Sequence, residues 1–418
     1  MKTLYVDLSP QRVLIAGRLL GPAARRIPRL RNQAYFGRFA PLQEEDIPSP
    51  SLPGPNFVRV RNRLSAICGS DLHFVMAEGN LSIAPAALPG TTGRNYMGHE
   101  IVGDIIEVGP EVTKVKVGDR VAQHSGDDTC LARGLQTPCR QCAIGNYNLC
   151  EWEAPRDLPH SVGGGWSEEW VTVEGRLYPL PDDITDEQAV LIEPAGSGVR
   201  AALRHRPSPG DKVLVLGCGT QGLMTLQSLR AVQPDCEITA LARFDYQADM
   251  ARRLGARHII MLGTDAYRQV ADLTGGRLYK GFMGNRHIMG GFDAVYDCVG
   301  LPRTLRDALR WTRNRGTVVL VGVYLAPMHI DLTPVFYHEV NLIGVLAHGA
   351  EDWEGERLST FDLIVRWLRE GKLNFDGFIT HRFPLSQHRE ALMAAIDQPR
   401  SRSIKVVFDM RDQAPEGR

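Results

Sequence analysis

Cys68, in Ile67-Cys-Gly-Ser-Asp-Leu-His73, and His99, in Gly98-His-Glu100, offer a thiolate and an imidazole, two ligand types that suit zinc. A third protein ligand and a water would complete an open tetrahedral site. Taken singly, Cys68 reads as a small buried apolar side chain and His99 as a satisfied core histidine; their company points to chemistry. A second group is cysteine alone: of eight cysteines, Cys139, Cys142 and Cys150 crowd between positions 139 and 150. Without a secretory pattern at the N-terminus, such a crowd favours a metal over disulfides. The third feature is Lys212-Val-Leu-Val-Leu-Gly-Cys-Gly-Thr-Gln-Gly222. Val213 to Leu216 form a short apolar run, expected of a strand covered on both faces. Gly217, Gly219 and Gly222, with Gln221 among them, supply a tight turn, bare backbone for an anion to approach, and close helix packing. Leu223, Leu226 and Leu229 then follow at helical spacing, so free N–H groups at the helix start face the anion.

That glycine turn alone has two readings. It resembles the dinucleotide-binding fingerprint, and Leu216-Gly-Cys-Gly-Thr220 also resembles the first motif of S-adenosylmethionine-dependent methyltransferases. Methyltransferases and NAD-binding domains place an acidic residue about 20 residues on, where it receives the ribose hydroxyls. Here the second strand, Glu237 to Leu241, ends in Ala242-Arg243-Phe244. A guanidinium at that tip suits bidentate contact with a phosphate, which leads us to expect NADP rather than NAD. The competing arrangement has Arg243 in solvent and Asp245 turning back to the ribose.

The elements that must position these groups need a long chain, and 418 residues suffice for two domains with separate cores. Lys plus Arg and Asp plus Glu both number 48, so nothing in the charge favours nucleic acid as a principal partner, and a small neutral or singly charged ligand fits better. No apolar run approaches the ~20 residues of a membrane span, and the expected location is cytoplasmic. Residues 8–43 hold seven arginines and no acid, superficially like a transit segment. Asp7, sparse serine, Pro22 and Pro28 argue instead for a basic surface insertion. Leu52 to Arg61 is turn chemistry followed by the alternation of a strand.

Together with Gly103-Asp-Ile-Ile-Glu-Val-Gly109 and Val117-Gly-Asp-Arg-Val121, the Cys68 and His99 motifs resemble the zinc-containing medium-chain dehydrogenase/reductase family, the alcohol and polyol dehydrogenases. The likeness runs from about residue 50 to the C-terminus. It implies an α/β protein: a Rossmann doubly wound parallel sheet (about 186–345) plus a mostly β GroES-like catalytic domain (about 1–185 and 346–418), with the active site in the cleft between them. By resemblance, Cys68, His99 and Glu193 of Leu191-Ile-Glu-Pro194 hold a catalytic zinc, and Glu100 is the competing ligand. Ser70 and His73 match the family's proton relay, and Asp71 the carboxylate that orients the zinc-bound imidazole. Val299, Gly300, Gly322 and Val323 border the nicotinamide, and Lys405 of the closing strand reaches the pyrophosphate or lies solvated. A homodimer or homotetramer is implied, as is hydride transfer between NAD(P) and an alcohol or its carbonyl.

Cys139, Cys142 and Cys150 resemble the structural zinc lobe of that family, which places a further cysteine where Gln136 stands. Cys130 is the nearby replacement, because a longer loop costs little: each doubling of loop length adds only about 0.6 kcal/mol of closure entropy. The alternative is a lobe without metal. Phe361 to Leu368 has helical spacing and is expected to return the chain to the first domain, the glycine-rich stretch from Thr274 to Gly291 is a long insert, and residues 409–418 read as a frayed end. Loops at 74–97 and 344–355 carry no substrate signature. A methyltransferase has no use for the metal motifs. The remaining rivals are a zinc-stabilised binding or regulatory protein on a dehydrogenase fold and a zinc-free quinone or enoyl reductase.

Overall fold

Alternating apolar and polar residues in Phe57–Ala66 bury Val58, Val60 and Leu64 completely, and this long strand becomes the spine of a sheet. In the computed structural model, which describes residues 1–78, 94–124, 126, 129–152, 161–325 and 327–411, it pairs along its whole length with Glu100–Val108. Its other edge is shared by Glu169–Val173 at the start and Lys405–Asp409 at the end. Arg120–Gln123, Leu177–Pro179 and Ile379–Phe383 complete seven strands. These belong to one compact unit, Met1–Glu193 with Phe375–Arg418. Most of the pairs are antiparallel, so each face can be covered differently.

Residues 8–43 prove only partly a surface insertion. They run as short helical pieces, including Val13–Leu20, Gly21–Arg26 and Arg31–Phe36, between the antiparallel strands Lys2–Val6 and Leu42–Asp46. Their arginines face outward for the most part, but Ala24, Ala34 and Tyr35 lie buried with Leu4, Ile67, Val75, Trp166 and Phe408. Trp166 and Phe408 meet edge to face at 5.7 Å. Burying such side chains contributes roughly 1.5–3 kcal/mol each. The segment therefore anchors itself in the core of this unit.

The second unit, Pro194–Asn374, holds a six-stranded parallel sheet. Its strands follow the order His258–Met261, Glu237–Ala242, Lys212–Leu216, Phe292–Asp297, Thr312–Leu320, Asn341–Gly344. In chain order that is 3-2-1-4-5-6, the doubly wound arrangement whose switch point lies beside the first strand. The stretch from Thr274 to Gly291 forms a hairpin, Arg277–Lys280 with Arg286–Met289. Thr360–Arg369 does not return to the first unit, contrary to its sequence expectation. Its apolar face is consumed within the second unit, where Trp367 meets Trp353 at 5.0 Å and Phe361 meets His348 at 4.6 Å. The chain re-enters the first unit only at Phe375. The frayed end and the loop at 74–97 lie outside the described residues at 412–418 and 79–93 respectively.

Candidate active site

Cys68 follows the end of the spine strand and caps the short helix Gly69–Val75. Its backbone N–H donates to Asp71 Oδ2 at 3.0 Å, while Asp71 Oδ1 stands 3.3 Å from His99 Nδ1. One nearly buried carboxylate thus ties down both the cysteine backbone and the imidazole. A hydrogen on Nδ1 leaves the Nε2 lone pair free for a metal. Ligand atoms of Cys68, His99 and Glu100 lie within 4.8 Å of one another. Burial disfavours the imidazolium, yet Asp71 and Cys68 outweigh it and hold the His99 pKa well above the usual range. Glu193, in the first turn of Ile192–Arg204, is within electrostatic reach. Burial, opposed by His99 and reinforced by Glu100, pushes its carboxyl up to about 7. Cys68, His99 and the Glu100 carboxylate form a donor set that fits zinc; Glu193 lies near enough to feel His99 and Glu100 but is not in the close group.

Lys405 corrects the sequence reading. Its ammonium is neither aimed at a pyrophosphate nor solvated: it is 3% exposed and donates to Glu100 Oε1 at 2.8 Å, Glu100 Oε2 at 2.7 Å and Ile67 O at 3.3 Å. Burial favours a neutral amine, but Glu100 and Cys68 overcome it and raise the Lys405 pKa. Glu100 is fully buried, so this pair is mutually required. No sequence motif links positions 100 and 405; only the pairing of Lys405–Asp409 with Phe57–Ala66 brings the lysine in.

Ser70 and His73 share the helix Gly69–Val75 at a spacing of three, which places them on one face. His73 Nδ1 lies 3.1 Å from Glu78 Oε2.

The cysteine lobe gathers Cys130, Cys139, Cys142 and Cys150, their sulfurs all within 4.8 Å of one another. Cys130 is brought in by a tight turn, in which Leu135 N–H donates to the Cys130 carbonyl at 3.1 Å and Gly134 takes a φ of 62°. Cys130 Sγ and Cys150 Sγ are 3.6 Å apart, too far for a disulfide. Four thiolates about 2.3 Å from a shared zinc stand about 3.8 Å apart, so the spacing fits the metal. Cys139 accepts N–H donors from Cys142 and Glu151, each at 3.4 Å. Burial pushes its thiol up, but these donors prevail and bring it down to about 6. That suits a thiolate ligand.

In the second unit Gly217 adopts a φ of 95°, open to glycine and costly for other residues. A Cβ on Gly222 would stand 1.7 Å from the Gly217 carbonyl, whereas one on Gly219 would meet nothing within 4 Å. The turn is therefore closed at its base and open above Gly219, at the start of Thr220–Val232. Gln221 Oε1 is buried without a partner among the described residues. The opening above Gly219 and the free N–H groups of the helix start fit a nucleotide pyrophosphate, whereas the Gln221 amide oxygen accepts and would meet a donor such as a hydroxyl. Two further turns carry Val299-Gly300 and Gly322-Val323. A Cβ on Gly300 would stand 2.6 Å from the Val323 carbonyl. Asp297, which no motif announced, binds them: it accepts from Val299 N at 3.0 Å, Gly300 N at 3.4 Å, Thr304 Oγ1 at 2.9 Å and Tyr324 Oη at 2.7 Å. Its carbonyl takes Gly322 N at 2.8 Å. At the tip of Glu237–Ala242, Ala242 is buried and Arg243 is exposed, its guanidinium 4.9 Å from the Phe244 ring centre.

Comparison with known proteins accounts for both units. An alcohol dehydrogenase GroES-like domain matches residues 54–182, and a zinc-binding dehydrogenase domain matches residues 222–361. The chain belongs to the zinc-containing medium-chain dehydrogenase/reductase family. An L-idonate 5-dehydrogenase of Vitis vinifera is 31% identical over 366 residues, covering 86% of this chain and 90% of the relative. A sorbitol dehydrogenase of Arabidopsis thaliana is 31% identical over 359 residues, covering 85% and 89%. Among solved structures, a 2R,3R-butanediol dehydrogenase from Bacillus subtilis superposes with a TM-score of 0.68 at 27% identity, covering 88% of this chain and 96% of that one. This medium-chain dehydrogenase/reductase is accordingly an oxidoreductase that acts on CH–OH groups and transfers hydride to and from a nicotinamide cofactor. No helix among the described residues is long and apolar enough to cross a membrane.

Proposed function

We propose that this dehydrogenase oxidises a polyol-like secondary alcohol, or reduces the matching ketone, with NADP. Cys68, His99 and Glu193 hold a catalytic zinc, and Cys130, Cys139, Cys142 and Cys150 a structural one. The observation that carries the reading is Asp71, which binds the Cys68 backbone and the His99 ring at once and so sets the donor group of an open site. Zinc bound there supplies Lewis acidity toward a hydroxyl or carbonyl oxygen. Ser70 and His73 take the hydroxyl proton outward. Glu100 stays with Lys405, because a metal would have to displace an ammonium bonded to both its oxygens. Gly217, Gly219, Gln221 and Gly222 receive the pyrophosphate, and Val299, Gly300, Gly322 and Val323 border the nicotinamide. Arg243 takes the 2′-phosphate, since the absence of a carboxylate at position 242 removes the repulsion an NAD enzyme would present. A cytoplasmic homodimer or homotetramer goes with this reading.

The test is a panel of alcohols, polyols, sugars and ketones assayed with both cofactors, alongside zinc analysis. Turnover of secondary alcohols or polyols with NADP is the expected result. Full turnover in zinc-free protein would sink the catalytic-zinc assignment.

A further inference from the structure

The family matches begin at residue 54, yet the segment before it reaches the helix that carries Ser70 and His73. Ala24 is fully buried and fixes the short helix Gly21–Arg26 in the core. Gly17 lies so close to Ala77 that a Cβ would stand 2.7 Å from its carbonyl. Next to Ala77 is Glu78, whose Oε1 accepts from Arg25 Nη1 and whose Oε2 stands 3.1 Å from His73 Nδ1. Glu78 is thus shared by an arginine of the N-terminal segment and a histidine of the proposed proton path.

We infer that Arg25 and Glu78 are positioning residues for His73: Arg25 fixes the carboxylate, and the carboxylate holds the ring with its hydrogen on Nδ1, leaving Nε2 to take the substrate proton. The inference rests on the relay role proposed for His73. A carboxylate only accepts, so a neutral ring facing it must donate from Nδ1. The same device, an acid that sets tautomer and orientation without itself moving a proton, serves the histidine of serine hydrolases. Burial disfavours an ionised Glu78, but His73 and Arg25 prevail and hold its pKa below the usual range, which keeps it a carboxylate. The other groups facing this cluster are the Tyr35 phenol and Arg31, and Asp71 lies on the histidine's own helix.

The test reads His73 directly by 15N and 13C NMR in histidine-labelled protein, with the signal assigned through His73→Gln. In the wild type the neutral ring should carry its hydrogen on Nδ1. Glu78→Ala should shift the tautomer toward Nε2–H. Arg25→Ala, at a site with 52% side-chain exposure and thus safe for folding, should blur the tautomer, and Arg25→Lys should restore it. A wild-type tautomer in both alanine variants overturns the inference. In parallel, the kcat profile against pH is measured for the panel alcohol oxidised fastest, and the profile of Glu78→Ala should differ from that of the wild type. Should the tautomer change while the profile stays put and His73→Ala keeps its turnover, the relay role fails and the proton path falls with it, although the contact itself stands.

Discussion

Lys405 and Glu100 show how much a single buried pair can demand. Both are essentially without solvent, and the lysine bonds both carboxylate oxygens. Breaking such a pair strands one charge, at a cost of about 3–5 kcal/mol, whereas replacing both partners by apolar groups of like volume is often neutral. Lys405→Met should therefore lower the melting temperature strongly, and Lys405→Met with Glu100→Leu should recover much of the loss. A double variant as unstable as the single one would show that the pair does more than neutralise itself. The same residues decide between zinc ligands. Glu193→Ala should abolish the catalytic zinc and cut kcat by on the order of a thousandfold, the scale of lost transition-state charge stabilisation. If zinc is instead lost only in Glu100→Ala, the ligand role passes to Glu100. Arg243 is argued on one contact: with the guanidinium at an exposed strand tip, Arg243→Ala should reduce the NADP-over-NAD ratio of kcat/KM by about tenfold or more, since a charge-assisted hydrogen bond is worth about 1.5–3 kcal/mol. Ala242→Asp should erode it further, and a wild-type preference for NAD would end the argument.

At the scale of elements, the turns carry the chemistry. The lobe turn that brings Cys130 to Cys139, Cys142 and Cys150 replaces the spacing expected at Gln136. Cys130→Ser should lose one zinc per chain and lower the melting temperature, because structural zinc is bound only by the folded loop. An unchanged zinc count would mean three thiols suffice. Asp297 is the corresponding anchor in the second unit, holding the Val299-Gly300 turn with its carboxylate and Gly322 with its carbonyl. Glycine motifs, the cysteine crowd and the CGSDxH and GHE segments were legible because their chemistry demands fixed local spacing. The doubly wound class of the second unit was legible too, though not its strand order, which the pairing of the strands sets. Asp297 and the Lys405–Glu100 pair were not, since each is made by tertiary register between distant strands. Thr360–Arg369 misled for a related reason: helical spacing announces a helix and its apolar face, but not which core takes that face. Trp353 and His348 do.

At the scale of the whole molecule, the chain divides its labour between two compact units. Every proposed zinc ligand lies in Met1–Glu193, and every proposed cofactor contact lies in Pro194–Asn374. In the proposed arrangement the nucleotide would be held by backbone turns and Arg243, whereas substrate activation would depend on a zinc, held by thiolate, imidazole and carboxylate, that a chelator can remove. Stripping should therefore separate the two functions. Protein treated with a strong chelator should still bind NADPH, read by quenching of its own fluorescence or enhancement of the cofactor's, with a dissociation constant within about threefold of the untreated value. Its turnover should fall by roughly a thousandfold or more, since Lewis-acid stabilisation is worth several kcal/mol in the transition state. Returning zinc alone should restore turnover in a sample that has kept its melting temperature. Loss of NADPH binding in parallel with zinc would contradict this separation, because it would make the second unit's turns depend on a metal held entirely by side chains of the first.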